Sequence, residues 1–459
     1  MLFIEGRYVV TMDSQRRIIK HGAVVCEEDK IVDVGSADEL KKKYQPKEVL
    51  GGDKFVILPG LVNTHTHLAM SLIRGIGDDM SLMEMNKRIF FPVERIMQPE
   101  DSYWGALLSL VELVKNGVTT TLDIYLHEDK VAEAVEKIGT RAVLAPAMMD
   151  TWPGKEEAPL RSTDEVLNEA VSIFKKCHNM ANGRVKIWFG PYTELLASPE
   201  LMKRSAELAN EFGTGIHIHL AETHEGQEIV RRLRGKRIFE YVEGTGLFKA
   251  PVLAAHCCWL SESDIRVMKK YNVKVSHCPT TEMKISDGVT PVPRLLSEGI
   301  VVSLGVDAAS ANNSQDLIRE AKQVSLLHKV TYPLDPELVP AEKALEMITV
   351  DAAKCLLWEK EIGSIEPGKK ADLILIDLRK PWLYPIVEKP KLNVINDIIY
   401  SGSGNDVDTV IVDGKIIVQN RKVLTVDEEE VLEKAQKVTE SLLERSGVVN
   451  EQIPWRWSI

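Results

Sequence analysis

The stretch Ile57–Met70, "ILPGLVNTHTHLAM", decides how the chain is read. A run of apolar residues reaches Pro59-Gly60, resumes, and ends in two histidines one residue apart. Side chains at i and i+2 of a strand share a face. His65 and His67 therefore present two imidazoles to one side, where they can hold one metal ion. A second His-x-His, His217 and His219, lies further on, so the motif by itself is not decisive. The remaining ligands must come from other parts of the chain.

Outward from this stretch the pattern alternates. Short apolar β-like runs fall near 59–65, 118–123, 141–147, 184–190, 214–220, 251–257, 272–277 and 300–306, with helical stretches between most of them. "SPELMKRSAELANEFG", Ser198–Gly213, has a serine start, apolar spacing of three and four, and a glycine stop. Pro99–Gly117 has a proline start and the same kind of stop. About eight such units over about 300 residues fit an α/β fold with a (β/α)8 TIM-type barrel, over residues 57–362. An open doubly wound sheet is the alternative, but no Gly-rich phosphate turn follows the first strand. Both chain ends, 1–56 and 363–426, read as short β segments, and Asp413-Gly414 between apolar runs is a hairpin signal. They are expected to form one small β-sandwich domain. A helix over about 427–446 opens with acidic residues, as the helix dipole prefers, and a tail to 459 follows. Trp455 and Trp457 in that tail are expected to dock on the body or on a neighbouring subunit.

Bulk composition excludes several function classes. The chain has 459 residues, 44% hydrophobic and 27% charged, as in an ordinary globular protein. A net charge of -11 argues against a nucleic-acid partner. No apolar run has transmembrane length, and the N-terminus reads as neither a signal nor a transit peptide. The six cysteines show no C-x-x-C pairing, which fits reduced thiols in the cytoplasm.

In a barrel, chemistry gathers at the C-terminal ends of the strands. The first such end carries His65 and His67, the fifth His219 and Glu222, the sixth His256, the seventh His277 and the eighth Asp307. A lone histidine on a β run is usually a satisfied core residue; five strand ends with metal-competent or proton-transferring residues are a constellation. His217 is expected to be packed rather than functional, His277 is open between the two roles, and His127, His178, His224 and His328 are expected at the surface.

This pattern resembles the amidohydrolase superfamily. It is similar in particular to the branch of 5-methylthioadenosine/S-adenosylhomocysteine deaminases and s-triazine hydrolases, through "LPGLVNTHTHLAMSLIRGIGDDM", "IHIHLAET", "AAHC", "VSHCP", "SLGVDAASANNSQDL" and "IGSIEPGKKADLILIDL". The resemblance implies one divalent metal, zinc first and iron second, held by His65, His67, His219 and Asp307. It implies proton transfer by Glu222 and Asp307, and His256 as the group that steadies developing charge. Binuclear members carry a carboxylated lysine at the end of strand four; here Lys186 sits early in "VKIWFGPYTE", so a mononuclear site is expected. The implied activity is hydrolytic deamination of an amino-substituted N-heterocycle, first of an adenosine-type nucleoside. An amino-s-triazine or cytosine aminohydrolase and a triazine chlorohydrolase are the alternatives, and a non-catalytic scaffold the remote one. Glu94 matches the family's ribose-contacting glutamate. Tyr192 stands where histidine is usual, Glu282 where asparagine is usual, Met85 where tryptophan is usual, and Arg161 could meet a substrate carboxylate. Glu282 could also accept hydrogen bonds from an amino-rich ring. A small heterocycle is thus the expected partner, with a homodimer or homotetramer as the assembly.

Overall fold

The computed structural model describes residues 1–153, 161–332 and 335–448. Trp455 and Trp457 lie outside the described residues. Eight parallel strands form the barrel: Leu61–Thr66, Val118–Tyr125, Arg141–Met148, Val185–Ile187, Ile216–Leu220, Val252–His256, Lys274–His277 and Val302–Leu304. The first four and the last four pair as two parallel sets. Parallel bridges Phe189–Ile216 and Thr193–His219 join the sets on one side. On the other, Asp307 N donates to His65 O at 3.0 Å. Gly305 makes that seam possible, because a Cβ there would lie 2.6 Å from the His65 Cβ.

Helix signals in the sequence hold in detail. Ser198 caps Pro199–Glu211 by accepting from Leu201 N at 3.1 Å. Gln98 and Asp101 form a capping box at the start of Pro99–Lys115. The last helix, Glu428–Ser446, starts at Asp427 and buries Val431, Ala435 and Leu442. It packs across Pro99–Lys115 and the turn Leu68–Ile73, where Thr439 Oγ1 donates to Leu72 O at 3.1 Å. Arg445 reaches Asp101 at 2.8 Å. No described helix is long and apolar enough to cross a membrane.

Both chain ends enter one eight-stranded sheet, in the order 422–423, 415–419, 407–412, 373–377, 50–59, 2–10, 18–27, 30–36. The strand Leu50–Pro59 is the junction: it runs parallel to Leu2–Val10 and antiparallel to Leu373–Asp377. Ile57–Pro59, assigned to the barrel from sequence, therefore pairs in this sheet instead. Ile57 lies opposite Val9 and Leu375, and the barrel begins only after Gly60. An apolar run without alternation gives no sign of where one sheet hands over to another.

A buried ionic cluster clasps the two units at the end of the barrel away from the histidines. Arg141 Nε donates to Asp372 Oδ2 at 2.6 Å and Nη2 to Oδ1 at 3.0 Å, and Nη2 also contacts Asp413 in the hairpin turn. All three side chains are buried. Arg141→Met would leave Asp372 buried without a cation and is expected to destabilise the chain by about 3–5 kcal/mol. A fall in the urea unfolding midpoint measures this; an unchanged midpoint would refute it.

Candidate active site

Three histidines converge where the barrel strands end. His219 Nε2 lies 3.3 Å from His67 Nε2, and Asp307 Oδ1 lies 3.4 Å from His65 Nε2 and 3.5 Å from His67 Nε2. All four side chains are buried. Each imidazole is anchored through its other nitrogen. His67 Nδ1 donates to Ile124 O at 2.7 Å, and His219 Nδ1 donates to Tyr192 O at 2.7 Å. His65 Nδ1 meets His217 Nε2 at 2.8 Å, and His217 Nδ1 meets Leu253 O at 3.0 Å.

The last pair fixes the protons. A carbonyl only accepts, so His217 carries its proton on Nδ1 and leaves Nε2 bare. His65 must then donate from Nδ1, which leaves its own Nε2 bare and facing inward. That Nε2 is buried with no hydrogen-bond partner. Burial lowers the pKa of all three imidazoles, that of His67 to about 3, so they are neutral, the form that coordinates a metal. The donor set, three bare Nε2 atoms and a carboxylate, fits one divalent ion such as zinc or iron. Lys186 does not face this centre; its ammonium is turned to Asn179 Oδ1.

Beside the ligands sits a charged pair. Glu222 Oε1 is 3.5 Å from His256 Nε2. Burial pushes the Glu222 carboxyl above its ordinary range. Burial opposes charge on His256, but Glu222, Glu282 and Asp307 around it prevail, and the imidazole rises to about 10. The backbone at Ala221, His256 and Asp307 is left-handed, with φ of 51°, 67° and 59°. Strain in non-glycine residues at three strand ends is the kind that functional sites retain.

A cleft of about 810 Å³ opens over His219 and Glu222, lined also by Phe91, Trp152, Glu194 and Arg232. The Phe91 and Trp152 rings meet edge to face at 5.2 Å. Glu94 is half-buried, with its carboxylate accepting from the Tyr125 hydroxyl at 3.1 Å, and burial lifts its pKa to about 7. The Tyr192 ring lies 4.8 Å from the His219 ring, tilted by 59°.

Several sequence expectations change here. Arg161 is exposed, pairs with Glu169 at 2.6 Å, and does not line the cleft. Glu282 is buried behind His256, 3.7 Å from its Nδ1 and 2.9 Å from His277 Nδ1, not in a substrate loop. His217 is the partner of His65 rather than a packed residue. His328, expected at the surface, is buried with its ring 5.6 Å from His277. Glu194, Tyr125 and Asp287 escaped the sequence reading. Tyr125 ends the second barrel strand, so the strand-end rule would have found it. Glu194 lines the cleft with its pKa raised to about 8 by burial, and Asp287 is raised to about 9 by burial and by Glu222; neither has a periodic signal.

Residues 56–417 match the Amidohydrolase family, and residues 22–44 match an imidazolonepropionase-like composite domain of bacteria. The chain is 42% identical to a 5'-deoxyadenosine deaminase of Methanobrevibacter smithii, over 93% of this chain and 94% of that one. It is 38% identical to a 5-methylthioadenosine/S-adenosylhomocysteine deaminase of Pelotomaculum thermopropionicum, over 97% and 99%. A crystal structure of an adenosine deaminase from Xanthomonas campestris with bound zinc superposes with a TM-score of 0.90, at 25% identity over 96% and 98%.

His217→Phe removes the acceptor that orients His65. It is expected to weaken zinc binding about 10- to 100-fold, while His217→Gln, whose amide oxygen can accept the same bond, loses less. Competition with a chelator reads both; equal affinities in all three proteins would refute the relay.

Proposed function

The chain belongs to the amidohydrolase family, and from that premise we propose that it is a metal-dependent hydrolytic deaminase of adenosine-type nucleosides. The observation that carries this reading is Glu222 beside His256 at the floor of the cleft, next to three bare imidazole nitrogens and Asp307. The nucleosides named for the related deaminases, 5'-deoxyadenosine, 5'-methylthioadenosine and S-adenosylhomocysteine, set the substrate class.

Removal of an exocyclic amine from an aromatic ring must overcome two obstacles: water is a weak nucleophile, and attack places charge on a ring nitrogen. His65, His67, His219 and Asp307 would hold a divalent ion, zinc first, which would supply water of lowered pKa. Glu222, raised by burial, holds a proton that it gives to the ring nitrogen next to the attacked carbon, which makes that carbon electrophilic. Asp307 accepts the proton released by the attacking water. His256, charged and fixed, stabilises the negative charge that builds on the new oxygen. Asp307 hands that proton on, by way of the emptied Glu222, to the departing amine, and the C–OH proton returns to Glu222 as the carbonyl forms, so a C–N bond is exchanged for a C–O bond and ammonia leaves.

Glu94 is the candidate for the sugar hydroxyls, with Tyr125 beside it. The aromatic pair Phe91 and Trp152 offers an apolar wall to the heterocycle or its 5' substituent. An amino-triazine loses its best support, because Glu282 is not available to a ring in the cleft. The buried, unpaired thiols of the six cysteines support a cytoplasmic setting, and a homo-oligomer completes the proposal.

The test is ammonia release by zinc-loaded protein from 5'-deoxyadenosine, 5'-methylthioadenosine, adenosine, S-adenosylhomocysteine, cytosine and melamine. Turnover of the nucleosides is the expected result; turnover of melamine or cytosine alone would refute the nucleoside assignment. Glu222→Gln is expected to lower kcat about 100- to 10,000-fold with zinc content unchanged, and near-normal turnover would remove Glu222 from proton transfer.

A further inference from the structure

Glu282 lies on the short helix Pro279–Lys284 that follows the seventh barrel strand. The mechanism above makes no use of it. A fully buried carboxylate requires close compensation, and among the described residues its only ion-pair partners are two histidines, His256 and His277. Its Oε1 accepts from Cys278 N at 2.9 Å and from His277 Nδ1 at 3.0 Å, and lies 3.7 Å from His256 Nδ1. Its Oε2 lies 3.0 Å from the Thr290 hydroxyl. The same hydroxyl is 2.6 Å from His256 O, so Glu282 and Thr290 flank both the side chain and the backbone of His256. The His256 Nδ1 is buried and has no hydrogen-bond partner. On the opposite edge of the ring Nε2 faces Glu222. The imidazole therefore stands between two carboxylates, one open to the cleft and one sealed behind it.

We propose that Glu282 is a positioning residue for the reaction, acting through His256. Its carboxylate draws Nδ1 backward and so fixes Nε2 toward the cleft, beside Glu222. The catalytic half of this proposal rests on the deaminase reading; the contact itself does not. Geometry explains why a carboxylate is needed. Cys278 N, His277 Nδ1 and His256 Nδ1 all approach the two oxygens of one group and each can donate a hydrogen, with His277 Nδ1 within 3.0 Å of both oxygens, while the Thr290 hydroxyl donates to His256 O. An amide presents one acceptor and one donor, so Glu282→Gln turns an N–H against one of these donors.

The experiment uses the full-length, zinc-loaded chain. Glu282→Gln is expected to lower kcat about 10- to 100-fold on the best nucleoside substrate, with KM within about twofold and zinc content unchanged; Glu282→Asp recovers part of the loss. A residue that only anchors its helix would lower the melting temperature and leave kcat in place, and that result would overturn the proposal. A second measurement needs neither turnover nor a folded variant at position 282. With 15N-labelled histidine, the wild type is expected to show a low-field Nδ1–H resonance that disappears in His256→Asn and survives in His277→Asn. Absence of that resonance overturns the contact. If the wild type releases no ammonia from any substrate, the deaminase reading fails while the spectrum still decides between Glu282 and solvent as the partner of His256.

Discussion

The hydrogen bond from Asp307 N to His65 O closes the barrel, and the candidate site depends on that closure. It joins the first strand to the residue just past the eighth, and both residues are candidate metal ligands. The seam is narrow because Gly305 has no side chain and because Thr64, Ser276 and Ser303 pair their hydroxyls across it at 2.6 and 2.8 Å. Closure brings together side chains that are remote in sequence, and burial then sets their chemistry. Water is excluded, so hydrogen bonds to backbone carbonyls decide which nitrogen of each imidazole is free.

Two electrostatic regimes coexist within a few ångströms. His65, His67 and His219 meet carbonyls, one another and a single carboxylate, and burial keeps them neutral. His256 meets Glu222, Glu282 and Asp307, and the acids outweigh burial. The same residue type is thus held neutral on one side of the candidate site and favoured as a cation on the other. The difference lies in what packs behind each ring: Ile124 O, Tyr192 O and His217 behind the first three, a carboxylate behind the fourth. Sulfur remains near as well, since Cys278 joins His65 and Asp307 with ligand atoms within 4.8 Å of one another, although burial holds its thiol well above the range in which it ionises.

The barrel was legible in the sequence because each strand is a short apolar run that ends abruptly in a polar residue, and those ends face one another. The convergence of His65, His67, His219, Glu222, His256 and Asp307 could be read for this reason. The apolar run 184–190 predicts a single fourth strand, but it forms as Val185–Ile187 with a separate two-residue strand at Gly190–Pro191; apolar composition does not reveal the break. Arg161 and Glu282 were misplaced because loop paths follow from tertiary packing and not from periodicity. The role of His217 was equally hidden. On a strand it shares a face with His219, yet its function rests on Leu253 of the neighbouring strand and on His65 across the barrel, contacts that no spacing within one strand encodes.

The last helix has a consequence for how the protein is made. Thr439 fastens the turn that directly follows His67, at Leu72, and Arg445 fastens Asp101 in the helix Pro99–Lys115 packed on that turn, each more than 340 residues earlier. Synthesis is vectorial, so the turn Leu68–Ile73 behind the first imidazoles emerges early and waits, unbraced, until Glu428–Ser446 has been translated. Loops this long close slowly. A nascent chain can therefore hold a few folded barrel units while the stretch behind His65 and His67 is still unbraced.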